Sequence, residues 1–311
     1  MKKILITGGA GYKGSAILAS NQPGYITVFD NLYWNQGPLV YPLLQSFRFF
    51  NESVLDWSDS LKREIQKADV IIPLAALVGA PLCDKEAEMA EDLNYLWFKK
   101  LLNYLDNQLV IYPNTNSGYG STGDSICTEE TPMNPISLYG KTKQHAEELL
   151  LGSYDNSIVF RLATVFGWSY RPRMDLLVNN LTAVANKTKA LEIFDGHFRR
   201  NYIHVKDVAS GFGFAMQNRD RMRGNVYNLG NDSINMTKES LARIICDVTG
   251  ASYSNVSDRT DPDKRDYVVS SQKLYDLGYI PKIGLEKGIK EILQFCSFDP
   301  EKGEPQLKIY L

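Results

Sequence analysis

The stretch ILITGGAGYKGSAILA, residues 4–19, decides the fold. It opens with an apolar β-type run, continues through Gly8, Gly11 and Gly14 in the spacing G-x-x-G-x-x-G, and ends in a helix-like run that begins at Ser15. Glycines let the backbone approach a diphosphate closely, and the free N–H groups and positive dipole end of a helix amino terminus bind anions. A glycine triplet by itself is often only a turn. Strand, glycine loop and helix in this order predict a nucleotide-binding site.

An acidic residue follows the second predicted strand, residues 25–29. At this position Asp30 can accept hydrogen bonds from an adenosine ribose and would repel a 2′-phosphate, which favours NAD over NADP. Lys13 in the glycine loop complicates this prediction, because a cation there could help to hold an additional phosphate. We expect NAD as the cofactor.

Strand-like and helix-like runs alternate over the first half of the chain. The predicted strands cover residues 3–7, 25–29, 47–50, 70–74, 109–112 and 158–162. The run at 70–74 is almost entirely apolar, as is typical of parallel strands that are covered on both faces. Six β/α repeats predict an α/β fold, a Rossmann-like doubly wound parallel sheet, with ligands at the carboxyl ends of its strands. The glycine loop, Thr115 and Tyr139 all fall at such ends, so we expect them to share one crevice.

A tyrosine and a lysine stand four residues apart on a helix predicted over residues 137–151. At this spacing Tyr139 and Lys143 lie on the same helix face. A nearby positive charge favours the ionised form of a tyrosine, whose free pKa is about 10, so the pair is a candidate proton-transfer device. The same spacing also arises by chance, where a tyrosine simply packs on a lysine stem.

Composition excludes several classes of protein. The 311 residues are 44% hydrophobic and 23% charged, with a formal net charge of −2, so nothing favours nucleic acid or an anionic membrane as partner. No apolar run approaches the roughly 20 residues needed to span a bilayer. The four cysteines are scattered without a C-x-x-C or a Cys/His cluster, which predicts a cytoplasmic protein with reduced thiols and no metal site.

Taken together and in order, the motifs resemble those of the extended short-chain dehydrogenase/reductases that act on nucleotide sugars, the epimerase/dehydratase family. The matching stretches are Thr7 to Gly14, Asp30 to Leu32, Leu74 to Ala76, Thr115 to Gly120, Tyr139 to Lys143 and Arg200 to Val205. Within this family, residues 74–81 and 114–120 are most similar to the GDP-mannoheptose 4-dehydrogenases of bacterial surface-polysaccharide synthesis.

The resemblance implies roles for individual residues. Tyr139 would be the general base for a sugar hydroxyl, Lys143 would lower its pKa and hold the nicotinamide ribose, and Thr115 would hydrogen-bond the reacting oxygen. The implied cofactor contacts are Gly8, Gly11, Tyr12, Lys13, Gly14, Asp30, Asn31, Leu32, Ser53, Val54, Leu74, Ala75, Ala76, Asn94, Tyr139 and Lys143. The implied substrate contacts are Val78, Thr115, Asn116, Asn179, Arg200 and Arg265. Of these, Asn179, Arg200 and Arg265 would approach the substrate diphosphate, for which arginine is well suited.

The chain departs from the family pattern at positions that bear on cofactor and reaction. Lys13 stands where isoleucine is common, and Ser53 where an aspartate usually contacts adenine. The family's 4,6-dehydratases carry Asp and Glu after the catalytic threonine, whereas this chain has Asn116 and Ser117, which cannot act as a carboxyl acid or base. Dehydration is therefore disfavoured, and C4 oxidation or C4 epimerisation remains. A non-catalytic dinucleotide-binding regulator would not need Thr115, Tyr139 and Lys143 together.

The rest of the chain carries weaker signals. We expect residues 1–168 to form the NAD-binding domain, with 202–224 returning to it, and residues 169–201 and 225–311 to bind the nucleotide sugar. Helices bearing Tyr139 and residues 88–105 are apolar on more than one side, and the resemblance implies that such helices pair in a homodimer. His204 is expected to be a satisfied core histidine. The remaining basic residues of this region are expected to be solvated surface charges, namely Arg171, Arg173 and Arg199.

Overall fold

The computed structural model describes residues 1–257 and 265–296. In these ranges the strands, in chain order, are β1 (Lys3–Thr7), β2 (Tyr25–Phe29), β3 (Arg48–Phe50), β4 (Val70–Pro73), β5 (Leu109–Thr115), β6 (Ile126–Cys127), β7 (Ser157–Leu162), β8 (Thr164–Phe166), β9 (Ala190–Ile193), β10 (Arg199–His204), β11 (Asn225–Leu229), β12 (Asn231–Thr237), β13 (Ser252–Asn255) and β14 (Val268–Val269). The α-helices are α1 (Tyr12–Ala19), α2 (Gly37–Leu44), α3 (Asp59–Lys67), α4 (Ala80–Lys85), α5 (Ala87–Glu91), α6 (Trp97–Leu102), α7 (Leu138–Ser153), α8 (Leu177–Thr188), α9 (Val205–Gln217), α10 (Arg219–Met222), α11 (Lys238–Thr249), α12 (Gln272–Tyr275) and α13 (Leu285–Cys296). A π-helical turn (Asp92–Leu96) joins α5 to α6, and 3₁₀ turns cover Val54–Asp56 and Asn116–Tyr119.

A parallel sheet of seven strands forms the centre of the molecule, in the order β11-β7-β5-β4-β1-β2-β3. In register, Ile4 of β1 lies opposite Ile26 of β2 on one side and Val70 of β4 on the other. The strand order therefore reverses at β1, as in a doubly wound sheet, and ligands are expected at the carboxyl ends beside this point. The predicted Rossmann-like fold is confirmed.

Both faces of the sheet are covered, because successive side chains of a strand point to opposite faces. On one face Ile4, Ile6 and Phe160 are buried with helices α1 and α9, and on the other Leu5 and Val159 are buried with α3, α6 and α7. Because side chains on both faces are buried, this arrangement needs strands that are apolar at every position, as predicted for buried parallel strands.

The seventh strand corrects the expected chain division. Residues 202–224 were expected to return to the first domain and residues 225–311 to bind the substrate. However, β11 pairs with β7 in parallel, Asn225 opposite Ile158 and Leu229 opposite Leu162, so the return to the sheet extends through Leu229. Residues 225–229 are too short a run to be distinguished from other apolar segments by sequence. Their pairing with the free edge of β7 places them in the sheet.

A second, smaller assembly lies beyond the sheet. Strand β10 pairs with β8 in parallel and with β12 in antiparallel, and β9 pairs with β13. Helices α8, α11 and α13 pack together around a core that includes Tyr202, Leu241 and Ile289. In the described residues no helix is both long and apolar enough to cross a membrane.

The loop between β8 and α8 joins this assembly to the glycine-loop helix. The hydroxyl of Tyr12 donates to the carbonyl of Gly167 at 2.7 Å, and the Gly167 amide donates to Oδ1 of Asn179 at 3.0 Å. Gly167 has φ +100°, and a Cβ there would lie 2.1 Å from the buried His204 ring. Only glycine fits this turn, which holds residues 167–173 against the first turn of α1.

Candidate active site

The glycine loop lies flat against the end of β4. Gly8 has φ +71°, and a Cβ on it would approach the amide nitrogen of Ala75 to 2.5 Å. A Cβ on Gly14 would lie 2.5 Å from Gly9, so α1 can start tight against the loop only with glycine there. Gly11 precedes α1, and no side chain caps the helix amino terminus. Its free N–H groups are thus available for an anion, as predicted.

The carboxylate of Asp30 braces this loop. It accepts hydrogen bonds from the amides of Ala10 at 3.0 Å and Leu32 at 2.8 Å. Burial raises its pKa, while these amides and the charge of Arg171 lower it. Arg171 stacks over Trp34, 5.3 Å from the ring centre, so it is not the solvated charge that we expected.

Thr115 ends β5 and begins a 3₁₀ turn. Its hydroxyl accepts from the amide of Ser117 at 3.1 Å and donates to the Ser117 hydroxyl at 2.9 Å. The guanidinium of Arg265 donates to the same Ser117 hydroxyl. Arg265 therefore lies at the threonine end of the crevice, where a sugar rather than a diphosphate would be expected.

Tyr139 lies in the first turn of α7, which is capped by the Ser137 hydroxyl. In the described part of the chain the Tyr139 hydroxyl has no hydrogen-bond partner, although the residue is half-buried. Burial raises its pKa to about 12, with a further contribution from Cys83, whereas the charges of Arg173 and Arg265 lower the pKa. The hydroxyl is thus available for a ligand, and its ionisation depends on nearby cations.

Lys143 lies one helical turn further along α7. It is only 4% exposed, and its ammonium lies 4.0 Å from the centre of the Tyr112 ring. No hydrogen-bond acceptor or carboxylate pairs with it among residues 1–257 and 265–296. Burial, followed by the charge of Lys13, holds its pKa well below the ordinary value. The charges of Arg173 and Arg265 lower the pKa of Tyr139 here, and the expected action of Lys143 on that pKa stays a prediction.

A buried ammonium without a partner is costly, so it indicates that a ligand supplies the missing acceptors. Ribose hydroxyls would do so for Lys143, and the uncapped helix amino terminus beside Gly11 suits a diphosphate. The site residues therefore fit a dinucleotide such as NAD. Gly8, Gly11, Tyr12, Lys13, Gly14, Asp30 and Lys143 would hold it.

Other predicted cofactor contacts brace the site in this structure. The Asn94 amide accepts from Leu77 N and donates to Leu77 O, both at 2.9 Å, and it donates to Thr142 at 3.3 Å. It thereby ties the segment after β4 to α7. The Ser53 hydroxyl caps a 3₁₀ turn by accepting from Leu55 N at 3.3 Å. Most of the remaining predicted cofactor contacts are half-buried or exposed residues near strand ends, namely Asn31, Leu32, Leu74, Ala75 and Ala76. Val54 is buried, and the predicted substrate contact Val78 is half-buried.

Three predicted substrate contacts are deeply buried. Asn116 is 0% exposed, and neither of its amide atoms has a partner among the described residues. The Asn179 amide bonds to the backbone of Gly167 and Arg173, which holds their loop. Arg200 is 4% exposed, and its guanidinium lies over the Tyr267 ring. Substrate binding by these residues stays a prediction, since a ligand could reach them only after rearrangement.

Sequence reasoning missed two kinds of charged group, arginines that pair with a carboxylate near the surface and a buried ion pair. Arg173 was expected at the surface, but its Nε donates to Asp175 at 2.6 Å and its charge lowers the pKa of Tyr139. Arg199, also expected at the surface, pairs with Asp266 at 2.8 Å. The second missed group is a buried ion pair at 2.6 Å between Glu147 and Arg161. Glu147 follows Lys143 by four residues, and this repeat of the Tyr139 spacing could have revealed it.

The Glu147 pair supports the reactive end of β5. Glu147 also accepts from the Asn114 amide, and Asn114 Oδ1 accepts from Thr115 N at 2.8 Å. Arg161 donates to the Tyr119 hydroxyl at 3.0 Å, and that hydroxyl donates to Asn228 at 2.7 Å. Each buried polar group in this network has a partner, so the network can hold Thr115 in place.

The predicted core histidine is deeply buried. His204 is 0% exposed, its Nδ1 accepts from Lys206 N at 3.2 Å, and its Nε2 lies 3.2 Å from Glu291. His204 lies in the core as predicted, but it is not fully satisfied, because its Nε2 has no hydrogen-bond partner among the described residues. In the described residues no cluster of His, Cys, Asp and Glu could hold a metal ion.

Several known proteins align with most of this chain. A family model described as the NAD dependent epimerase/dehydratase family matches residues 4–230. The dTDP-D-glucose 4,6-dehydratase of Mus musculus is 26% identical over 320 residues, which cover 94% of this chain and 88% of that protein. The structure of dTDP-glucose 4,6-dehydratase from Bacillus anthracis in complex with NAD aligns with a TM-score of 0.81 at 25% identity, covering 98% of both chains. The UDP-glucuronic acid 4-epimerase from Bacillus cereus, in complex with UDP-glucuronic acid and NAD, aligns with a TM-score of 0.81 at 25% identity, covering 94% of this chain and 99% of that one.

Proposed function

The chain belongs to the NAD-dependent epimerase/dehydratase family, and from this premise we propose that it oxidises C4 of a nucleotide-diphosphate sugar to the ketone. NAD is the cofactor, and when bound it accepts the hydride that leaves the sugar carbon. The expectation of NAD rather than NADP agrees with the neighbouring structures, which are NAD complexes.

One observation carries the proposal: the Tyr139 hydroxyl and the Lys143 ammonium, one helical turn apart on α7, have no hydrogen-bond or carboxylate partner in the described residues. Tyr139, as the phenolate, would take the proton from the C4 hydroxyl, and Thr115 would hold the same oxygen by a hydrogen bond. Loss of the proton lets the oxygen form a double bond to C4 as hydride departs from that carbon. Lys143 would bind ribose hydroxyls, and Arg173 and Arg265 would favour the phenolate.

Dehydration does not fit the groups around Thr115. Eliminating water across C5 and C6 requires an acid and a base, but Ser117 is engaged by Arg265, and Asn116 is an amide. The nearby carboxylates Glu147 and Asp175 are each paired with an arginine. Among the described residues, the two positions after Thr115 thus offer no carboxylate for this elimination.

For the substrate we propose GDP-mannoheptose. Residues 74–81 and 114–120, which line the carboxyl ends of β4 and β5, support this through their similarity to GDP-mannoheptose 4-dehydrogenases. A nucleotide-sugar 4-epimerase is the second candidate, favoured by the structural likeness to the UDP-glucuronic acid 4-epimerase. Both reactions begin with the same hydride removal, and they differ in whether the ketone leaves or takes the hydride back.

Mass spectrometry and proton NMR on the products would distinguish these reactions. The enzyme and NAD would be incubated with GDP-mannoheptose and with a panel of UDP- and dTDP-sugars. A product lighter by two hydrogens supports the dehydrogenase, and unchanged mass with a new C4 proton signal indicates the epimerase. Loss of water would contradict the assignment of Asn116 and Ser117, and no conversion of any sugar would contradict the proposed activity.

The role of Tyr139 can be tested directly with Tyr139→Phe. We expect turnover to fall by a factor of about 10² to 10⁴, the usual contribution of a general base, with NAD binding retained. The matched control is Tyr25→Phe, because Tyr25 is 66% exposed at the amino end of β2, away from the crevice. Unchanged turnover in Tyr139→Phe would contradict the mechanism.

A further inference from the structure

Arg199 is a partly exposed arginine that takes no direct part in the proposed reaction. It is the first residue of β10, and its amide and Nε donate to Oδ1 of Asp266 at 2.8 and 3.0 Å. Its Nη2 donates to Oδ2 of the same carboxylate at 2.8 Å. A guanidinium that bonds both oxygens of one carboxylate fixes the direction of the pair as well as its distance. Asp266 is therefore held by three bonds from one residue.

The same guanidinium reaches the segment that follows the 3₁₀ turn after β5. Its Nη1 donates to Asp124 at 2.9 Å, and its Nη2 donates to the carbonyl of Gly123 at 2.7 Å. From this segment the amide of Thr122 donates to the carbonyl of Asp266 at 3.0 Å. Just beyond these contacts, β6 and β14 pair in parallel. Arg199 therefore joins three segments that are far apart in the chain.

Asp266 follows Arg265 directly, so whatever holds Asp266 also sets the position of that arginine. The Arg265 guanidinium donates to the Ser117 hydroxyl, which also accepts from the Thr115 hydroxyl at 2.9 Å. The Ser117 amide donates back to Thr115 at 3.1 Å. A displacement at Asp266 would move Arg265 away from the hydroxyl pair at the end of β5.

We propose that Arg199 is a positioning residue, which directs Arg265 to the active site by holding the neighbouring Asp266. This inference rests on the proposed function, in which the Thr115 hydroxyl holds the oxygen on C4. Since Arg265 and Thr115 donate to the same Ser117 hydroxyl, the orientation of Thr115 depends on where Arg265 lies. Misplacing such a group by about 1 Å can cost as much as 10²-fold in rate.

Arg199 should act on the sugar step and not on the cofactor. Among the described residues its guanidinium contacts Asp266, Asp124 and Gly123, and none of these is expected to hold the dinucleotide. Loss of the side chain should therefore change the constants for the sugar and leave those for NAD as they are.

The test measures kcat and KM in Arg199→Met, Arg265→Met and the double variant, with NAD and GDP-mannoheptose or the panel sugar that is converted. We expect Arg199→Met to lower kcat/KM for the sugar by a factor of about 10 to 100, with KM for NAD unchanged. In the Arg265→Met background the same change should cost less than about twofold, because Arg199 then has no arginine to position. Arg199→Lys keeps the charge but not the fork, so it should restore activity only in part.

Two further variants complete the comparison. Asp266→Asn removes the carboxylate that Arg199 holds, so it should lower kcat/KM in the same way. Arg219→Met on α10 is the matched control for loss of an arginine, because its partner Asp220 is 83% exposed, and it should leave the constants unchanged. Circular dichroism would establish that each variant is folded. If Arg199→Met does not fold, Asp266→Asn takes its place in the double-mutant cycle.

Each outcome decides a defined statement. Multiplicative losses in the double variant would show that Arg199 does not act through Arg265, and a raised KM for NAD would show a general structural role; either result overturns the inference. A crystal structure of Arg199→Met gives a readout that does not depend on turnover: Arg265 displaced from Ser117 supports the inference, and Arg265 in place overturns it. If wild type converted no nucleotide sugar, the proposed function would fail, while this structure would still decide the position of Arg265.

Discussion

At the scale of single residues, the protonation state of Tyr139 is set by groups from distant parts of the chain. Burial disfavours the phenolate and raises the pKa to about 12, while Arg173 and Arg265 favour the phenolate. Each of these arginines also has a polar partner of its own, Asp175 or Ser117, which holds it in place. In the proposed mechanism, catalysis would therefore depend on residues that no local motif identifies.

Removing Arg173 should shift the pH dependence of the reaction. The phenolate is the active form of Tyr139, so kcat/KM should rise with pH as the hydroxyl ionises. Because Arg173 lowers the pKa of Tyr139, we expect the rising limb to move upward by about one pH unit in Arg173→Met. Arg173→Lys should move it less. Because the pKa of Tyr139 is about 12, the range from pH 6 to 9 lies wholly on the rising limb, and a shift of about one unit appears there as a kcat/KM lowered about tenfold at every pH. Steady-state kinetics over this range would check this, and an unchanged kcat/KM in Arg173→Met would argue against the electrostatic role.

His204 should make stability depend on pH. Burial lowers its pKa to about 4, below the ordinary value of about 6.5. The unfolded chain therefore binds a proton at a pH where the folded chain does not, and stability falls as the pH drops from about 6.5 toward 4. The loss should reach up to about 3 kcal/mol.

Urea denaturation of wild type and His204→Gln across this pH range would measure the effect. The variant should show a flatter decline in its free energy of unfolding. His197→Gln is a suitable control, since His197 is exposed. The prediction fails if the free energies of unfolding of wild type and His204→Gln decline in parallel with falling pH.

At the scale of elements, the buried Glu147–Arg161 pair joins α7 to β7 and, through Asn114, to the end of β5. Both side chains are less than 10% exposed. Arg161→Met would leave the Glu147 carboxylate charged, buried and without its partner. We therefore expect this variant to destabilise the fold by about 3–5 kcal/mol. The exposed Lys290–Glu286 pair on α13 offers a contrast: Lys290→Met should destabilise the fold far less than Arg161→Met.

Urea denaturation of both variants at neutral pH would check the comparison. A cost for Arg161→Met no larger than that for Lys290→Met would show that water reaches Glu147 and that the network does not stabilise the site. Since Thr115 depends on this network through Asn114, Arg161→Met should also lower kcat/KM.

The elements themselves could be read largely from the sequence. β1 and β2 have the predicted bounds, and α7 begins one residue after the predicted start. The helix predicted over 88–105 is instead α5, a π-helical turn and α6. The extra residue in the turn lets Asn94 face Leu77 and Thr142, a contact with another element that hydrophobic periodicity does not report.

At the scale of the whole molecule, the π-helical turn, which packs against α7, presents partly exposed apolar side chains. Leu96 is 44% exposed, and Leu93 and Tyr95 beside it are only partly buried. We predict that this surface pairs two copies of the chain. Sedimentation should give twice the 35.1 kDa mass, and Leu96→Glu should give the monomer, because a charge would be buried in the interface.

A Leu55→Glu variant is the matched control, since Leu55 is also exposed but lies after β3, on another part of the surface. It should leave the mass unchanged. A wild-type chain that sediments as a monomer at micromolar concentration would contradict the predicted homodimer.

The sequence by itself determined six of the seven strands of the central sheet, the glycine loop, the acidic end of β2 and the Tyr139/Lys143 spacing, because each depends on residues close together in the chain. Only the tertiary structure decided that β11 completes the sheet, that Asn179 and Asn94 brace loops, and that the charges of Arg173 and Arg265 act on Tyr139. The physical reason is that strand order and the Tyr12–Gly167 contact bring these distant segments together. Charge and burial at the site follow from that approach, and neighbours along the chain do not encode it.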